Sequence, residues 1–129
     1  MNDSLASMPL VESRREQRYR VYWRAHLHLP GERMLEARLR DISHGGLGMT
    51  AGEAVAMGTV LPVTIGMPDA EGSPRLLAVQ CSVRVVNVVL TGLDYRMGAV
   101  WVDESPGVRQ LIEQWMRKLR YTGAAIGST

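Results

Sequence analysis

From Val21 onward the chain alternates strictly. Val21, Trp23, Ala25, Leu27 and Leu29 fall on one side and Tyr22, Arg24, His26 and His28 on the other, the period of a half-buried strand. Pro30-Gly31-Glu32 predicts a turn, and Leu35, Ala37 and Leu39 alternating with Glu36, Arg38 and Arg40 predict an antiparallel return strand. Leu47 and Met49 open a short third strand that stops at Ala51-Gly52, and Leu61, Val63, Ile65 and Met67 mark a fourth. Pro68 to Pro74 reads as a hairpin loop, Leu76 to Leu90 as a long fifth strand, and Thr91-Gly92-Leu93-Asp94 as the turn into a sixth, Tyr95 to Val102. Six strands with short connections and no intervening helix predict an antiparallel sheet that curls into a barrel. Closure would also protect the edges of such short strands.

The period changes only at the end. Ser105 can cap a helix with Pro106 in its first turn, and Val108, Leu111, Ile112, Trp115, Met116 and Leu119 recur at three- and four-residue spacing down one side. Gly123 is the expected stop. Residues 1–13 mix polar and apolar types without a period and read as a flexible tail, 14–122 as one mainly β domain with its C-terminal α-helix, and 123–129 as a second flexible tail.

A chain of 129 residues suits one core, and 46% hydrophobic with 22% charged residues is an ordinary globular mix. The single cysteine, Cys81, cannot form an internal disulfide, and its neighbours Val79 and Val83 place it as a small buried thiol; both fit a reducing cytoplasm. No apolar run approaches the roughly 18 residues that cross a bilayer, and Met1 to Val11 lacks a signal peptide's basic start. A cytoplasmic protein without membrane insertion is expected.

The net charge is only +2, yet Arg14, Arg15, Arg18, Arg20 and Arg24 crowd into eleven positions against Glu16 alone. Local basicity of this kind attracts phosphates. Arg14 and Arg18 form R-x-x-x-R, and 23 positions after Arg18 the second strand runs into Asp41-Ile42-Ser43-His44-Gly45-Gly46, a D-x-S-x-x-G turn. A guanidinium fork matches phosphate oxygens and the N7/O6 edge of guanine, while a carboxylate such as Asp41 accepts from guanine's donor edge. Ser43 adds an adjustable hydroxyl, and Gly46 permits close backbone approach. Either piece alone also reads as ordinary structure: arginines four apart on a solvated segment, or a turn held by its Asp and Ser side chains.

Together, in this order and separation, the two pieces resemble the signature of the PilZ domain family, bacterial receptors for the second messenger cyclic diguanylate. The resemblance runs from about Arg14 to the final helix, and Tyr95-Arg96-Met97-Gly98-Ala99-Val100-Trp101-Val102-Asp103 is similar to the family's last strand, with Trp101 where the family often has Phe. It implies a six-stranded antiparallel barrel, phosphate and guanine contacts from Arg14 and Arg18 with Arg15 assisting, and a guanine held by Asp41, Ser43 and Gly46. Arg20 and His44 are further ligand-binding candidates. Arg20-Val21-Tyr22-Trp23-Arg24 also fits R-x-x-x-R, and the choice between Arg14/Arg18 and Arg20/Arg24 stays open.

The expected function is binding of cyclic diguanylate (c-di-GMP) and relay of that signal, through a protein partner or self-association, to motility, pili or exopolysaccharide, with no other cofactor. His26 and His28 share a strand face but have no evident third ligand, so no metal is expected. Asp41, Ser43 and His44 are residue types of a hydrolytic triad, but neighbours in one turn cannot line up as nucleophile, base and orienter, and no enzyme is expected. Two rivals remain: a PilZ-like interaction module without nucleotide binding, and a small single-stranded nucleic-acid binder. The seven aromatic residues give the latter little stacking surface, and no nucleic-acid partner is expected.

Overall fold

The computed structural model describes residues 17–102, 105–122 and 125–126. Six antiparallel strands carry the alternation: β1 (Arg18–Leu29), β2 (Arg33–Ile42), β3 (Gly46–Ala51), β4 (Val60–Pro68), β5 (Leu76–Thr91) and β6 (Asp94–Val102). Helix α1 (Pro106–Thr122) comes next, then a two-residue strand β7 (Ala125–Ile126). The pairing order is β2-β3-β6-β5-β4-β1-β7, and β1 also pairs with β2, so the sheet closes on itself through β1. Along β1 buried and exposed residues alternate from Arg18 to Leu27, as a strand with one face on a core must. Leu27, Leu39, Ile42, Met49, Ile65, Val83, Val85 and Met97 meet in the barrel interior, and Cys81 is buried there with them.

Two expectations change. The strand starting at Val21 begins instead at Arg18, because Tyr19 is buried and extends the inward row by one position. Arg18 and Arg20 are therefore outward residues of a strand. The expected C-terminal tail contains β7, whose backbone pairs Ile126 with Arg18 and Ala125 with Tyr19 along the same stretch of β1. Arg14, Arg15, residues 1–13 and Gly123 lie outside the described residues.

Three β-bulges interrupt the ladders: in β1 against β2 between Arg20 and Trp23, in β2 against β3 between Leu39 and Asp41, and in β5 against β6 between Val85 and Asn87. Each inserts one extra residue, bends its strand and re-aims the side chains beyond it. In β2 the result is that Arg40 and Asp41 both leave the core side before Ile42 returns to it.

Helix α1 starts as its cap predicts: the Val108 amide donates to Ser105 Oγ at 3.3 Å. Its stripe of Val108, Ile112, Trp115, Met116 and Leu119 is buried. Trp115 meets Trp23 of β1 edge to face with ring centroids 5.0 Å apart, and its Nε1 donates to Pro68 O at 2.9 Å, pinning the helix to the end of β4, where the β4–β5 loop begins. Lys118 Nζ donates to Ala70 O of that loop and lies 5.3 Å from the Trp115 ring centroid. Trp115→Ala should therefore cost about 3–5 kcal/mol in denaturant unfolding. A loss below about 1 kcal/mol would show that the helix is not part of the cooperative unit.

Candidate functional site

A single row of cross-strand partners crosses five strands on the outer face of the barrel. Arg20 of β1 faces Asp41 of β2, Asp41 faces Gly48 of β3, Gly48 faces Gly98 of β6, and Gly98 faces Asn87 of β5. The two central positions carry no side chain, and their neighbours lean in over them. A Cβ on Gly48 would lie 2.7 Å from Asp41 Oδ2, and one on Gly98 would lie 2.8 Å from Asn87 Nδ2. At both positions glycine leaves room for a neighbouring side chain: a Cβ there would displace the end of Asp41 or Asn87 and would meet no backbone at that distance. The bulges beside Asp41 and Asn87 are what turn those two side chains toward the glycine pair.

Around this row lies a depression of about 480 Å³ walled by Arg18, Arg20, Tyr22, Arg40 and Arg96. Four guanidinium groups there face one carboxylate, Asp41, which leaves three positive charges in excess among the lining residues. A second, shallower depression of about 200 Å³ shares Arg18, Asp41, Asn87 and Gly98 and continues toward Ser43 and Gly46. The surface is one continuous basic trench with a polar floor, suited to a multiply anionic ligand.

Arg18 and Asp41 are joined by a forked ion pair: Nη2 lies 3.1 Å from each carboxylate oxygen, and Nε donates to Oδ1 at 3.3 Å. The arginine side chain is half exposed while that of Asp41 is largely covered, and a pair open to solvent on one side stabilises the fold by about 1 kcal/mol. Its effect is orientation. Arg18 and Arg20 both line the trench, whereas Arg24 lies opposite Arg38 and does not.

Ser43 and Gly46 are committed to the turn. Ser43 is buried, its Oγ donates to Gly46 O at 3.3 Å and accepts from the Gly46 amide at 3.2 Å, and its own amide donates to Gly46 O at 2.9 Å. A Cβ on Gly46 would collide with the carbonyl oxygen of Ala99 in β6. Trp101 Nε1 donates to Ser43 O at 3.2 Å, and the Trp101 amide to Gly45 O at 3.1 Å.

His44 points from the turn to the helix. Its Nε2 lies 3.0 Å from Glu113 Oε1, while Arg109 donates to His44 O at 3.0 Å and to Glu113 Oε2 at 3.3 Å. Partial desolvation opposes the charge on Glu113, but the bonds from His44 and Arg109 outweigh it and hold the carboxyl below its usual range. Turn and helix are therefore bound by one polar cluster.

Gly48, Asn87 and Arg40 line the candidate site but carry no local signature, while Arg96 and Gly98 fall in the segment similar to the family's last strand without a site role attached to them. Arg40 and Arg96 are outward residues of their strands, and only the pairing of β3 with β6 brings them together. The two histidines of β1 do not converge on a metal: His28 Nε2 lies 2.7 Å from Thr64 Oγ1, and among the described residues no cluster of three or more His, Cys, Asp or Glu side chains could hold an ion.

The turn geometry predicts an order of stability losses. Gly46→Ala should cost the most, on the order of 2 kcal/mol or more, because backbone must move. Ser43→Ala should cost about 1–2 kcal/mol through two lost hydrogen bonds, and Asp41→Ala about 1 kcal/mol or less. Denaturant midpoints test the order, and an Asp41→Ala loss equal to that of Gly46→Ala would make Asp41 a structural residue.

No curated protein matches this chain by sequence. Among solved structures, the PilZ domain of YcgR from Escherichia coli, described with c-di-GMP, superposes with a TM-score of 0.65 at 16% identity, covering 84% of this chain and 92% of that one. The inhibitor of motility MotI (DgrA) from Bacillus subtilis superposes with a TM-score of 0.68 at 16% identity, over 84% and 50% of the two chains. The MrkH–c-di-GMP complex from K. pneumonia gives a TM-score of 0.71 at 14% identity, over 84% and 53%. This chain thus spans about half the length of the last two. Among the described residues no helix is long and apolar enough to cross a membrane. The PilZ domain model matches residues 12–118, nearly the whole of the closed sheet and most of α1, and the chain belongs to the PilZ domain family.

Proposed function

We propose that this PilZ domain is a cytoplasmic receptor, and not an enzyme, that binds cyclic diguanylate in the arginine-walled trench. The observation that carries the reading is the juxtaposition, on one outer face, of four arginines with Asp41 over a floor of two glycines. A cyclic dinucleotide brings two phosphates, which relieve the crowding of Arg18, Arg20, Arg40 and Arg96, and guanine edges rich in donors, which a carboxylate accepts. The c-di-GMP complexes of YcgR and MrkH support the reading through shared fold.

In this reading Arg18 has two roles. It orients Asp41 through the forked ion pair, and it can turn to a phosphate when ligand arrives; Arg14 and Arg15 supply further phosphate contacts. An ionised carboxylate has about four acceptor sites, so Asp41 can hold Arg18 and still accept from guanine. Ser43 and Gly46 act by shaping the turn that presents Asp41, and Arg20 adds a cation. His44 is a link to α1 and not a ligand contact.

Because a ligand shifts an equilibrium only by its differential affinity for two states, signalling requires the bound trench to differ from the free one. Competition of phosphates for Arg18 is that difference. Movement of the Asp41–Gly46 turn reaches α1 through His44, Glu113 and Arg109, and a protein partner, or a second copy, would read the changed surface. Motility, pili or exopolysaccharide are the outputs we associate with such a relay.

Calorimetric titration with cyclic diguanylate, with GTP and cyclic GMP as comparators, tests the reading. Arg14→Ala and Arg18→Ala should each weaken binding by about 1.5–3 kcal/mol, one to two decades in affinity, and Arg24→Ala should leave it unchanged. Normal binding by Arg14→Ala and Arg18→Ala with failure of Arg20→Ala and Arg24→Ala would move the motif to the second pair. A folded wild type that binds none of the three nucleotides would leave the interaction module as the better account.

A further inference from the structure

The trench contains a polar side chain that the R-x-x-x-R and D-x-S-x-x-G motifs do not include. Asn87 sits just after the β5 bulge, exposed on the outer face, and stands across the glycine pair from Asp41. Its Oδ1 accepts from the Gly98 amide at 3.0 Å, which fixes which end of the amide faces where. With the carbonyl end committed to backbone, the end turned to the trench is the NH₂ group, a donor. On the other side of the same two glycines stands an acceptor pair, the Asp41 carboxylate.

We propose that Asn87 is a specificity-determining residue that, together with Asp41, reads the Watson–Crick edge of guanine. That edge presents an acceptor, O6, beside two donors, N1–H and N2–H₂. Asn87 Nδ2 donates to O6, and the Asp41 oxygens accept from N1–H and N2–H₂, the pattern that cytosine offers. Adenine reverses it: the N6 amino group meets the Asn87 amino group, and the N1 acceptor meets the Asp41 carboxylate. Both mismatches leave polar groups facing the base unpaired, which is how a site rejects the wrong base.

The glycines make the arrangement possible. A side chain at either position would displace the very group that reads the base, since a Cβ on Gly98 would press on Asn87 Nδ2 and one on Gly48 on Asp41 Oδ2. The inference rests on the guanine-nucleotide reading above, and it adds a residue to that site and a basis for choosing between purines.

The test compares binding of cyclic diguanylate and cyclic diadenylate by wild type, Asn87→Asp and Asn87→Leu, each checked for an unchanged thermal unfolding profile. Asn87→Asp keeps an acceptor for the Gly98 amide but turns the donor aimed at O6 into a second acceptor. Asn87→Leu removes the donor without adding charge. Wild type should prefer the guanine ligand by at least about tenfold. That preference should fall about tenfold or more in Asn87→Asp and roughly fivefold in Asn87→Leu, as expected for one lost hydrogen bond. The preference ratio separates base reading from the general weakening that added negative charge causes for both ligands. Wild-type preference retained in both folded variants would overturn the role of Asn87 while leaving cyclic diguanylate binding intact. Equal binding of the two ligands by wild type would also overturn it, and no binding of cyclic diguanylate would remove the guanine reading together with this one.

Discussion

Two glycines facing each other across β3 and β6 are the constraint on which the site depends. On the outer face of a sheet every second residue projects a side chain, so a flat receptor surface exists only where side chains are missing. Gly48 and Gly98 supply that gap at directly paired positions. Asp41 and Asn87 then lean into the space that Cβ atoms there would have taken. Without the pair, the carboxylate and the amide would be pushed outward and the arginines of β1, β2 and β6 would border an ordinary strand surface.

The rest of the fold holds that surface in place. The barrel core fixes the register of β3 against β6, and the bulges in β2 and β5 convert inward-outward alternation into two adjacent outward residues where the site needs them. Ser43 and Gly46 are occupied by the turn itself, one through hydrogen bonds and the other through its fit against Ala99. The D-x-S-x-x-G turn is thus chiefly a mount for its first residue. The same turn is tied to α1 by His44, Glu113 and Arg109.

Much of this was legible in the residues alone. Strict alternation located the strands because one face of each is buried, and the three- and four-residue spacing from Val108 to Leu119 located the helix for the same reason. The start of β1 was hidden: Tyr19 stands between two arginines, and a single buried residue there has no visible partner until β7 and β2 pair beside it. The meeting of Asn87 with Gly98 was hidden more deeply, since it depends on the β5 bulge, which leaves no periodic trace. The buried setting of Ser43 was one of two readings open to any Asp-Ser turn, and only the close packing of Gly46 against β6 decides it.

Bound ligand is expected to lie over the Gly48–Gly98 pair, between Asp41 and Asn87. Amide chemical-shift mapping of labelled protein during titration with cyclic diguanylate tests it most directly, because glycine amides report on contacts that no side-chain substitution can isolate. Gly48, Gly98, Asp41 and Asn87 should be among the most strongly shifted amides, with Val63 and Ile65 of β4 little changed. Large shifts on β4 or the β4–β5 loop, with the glycine pair unmoved at saturation, would contradict it.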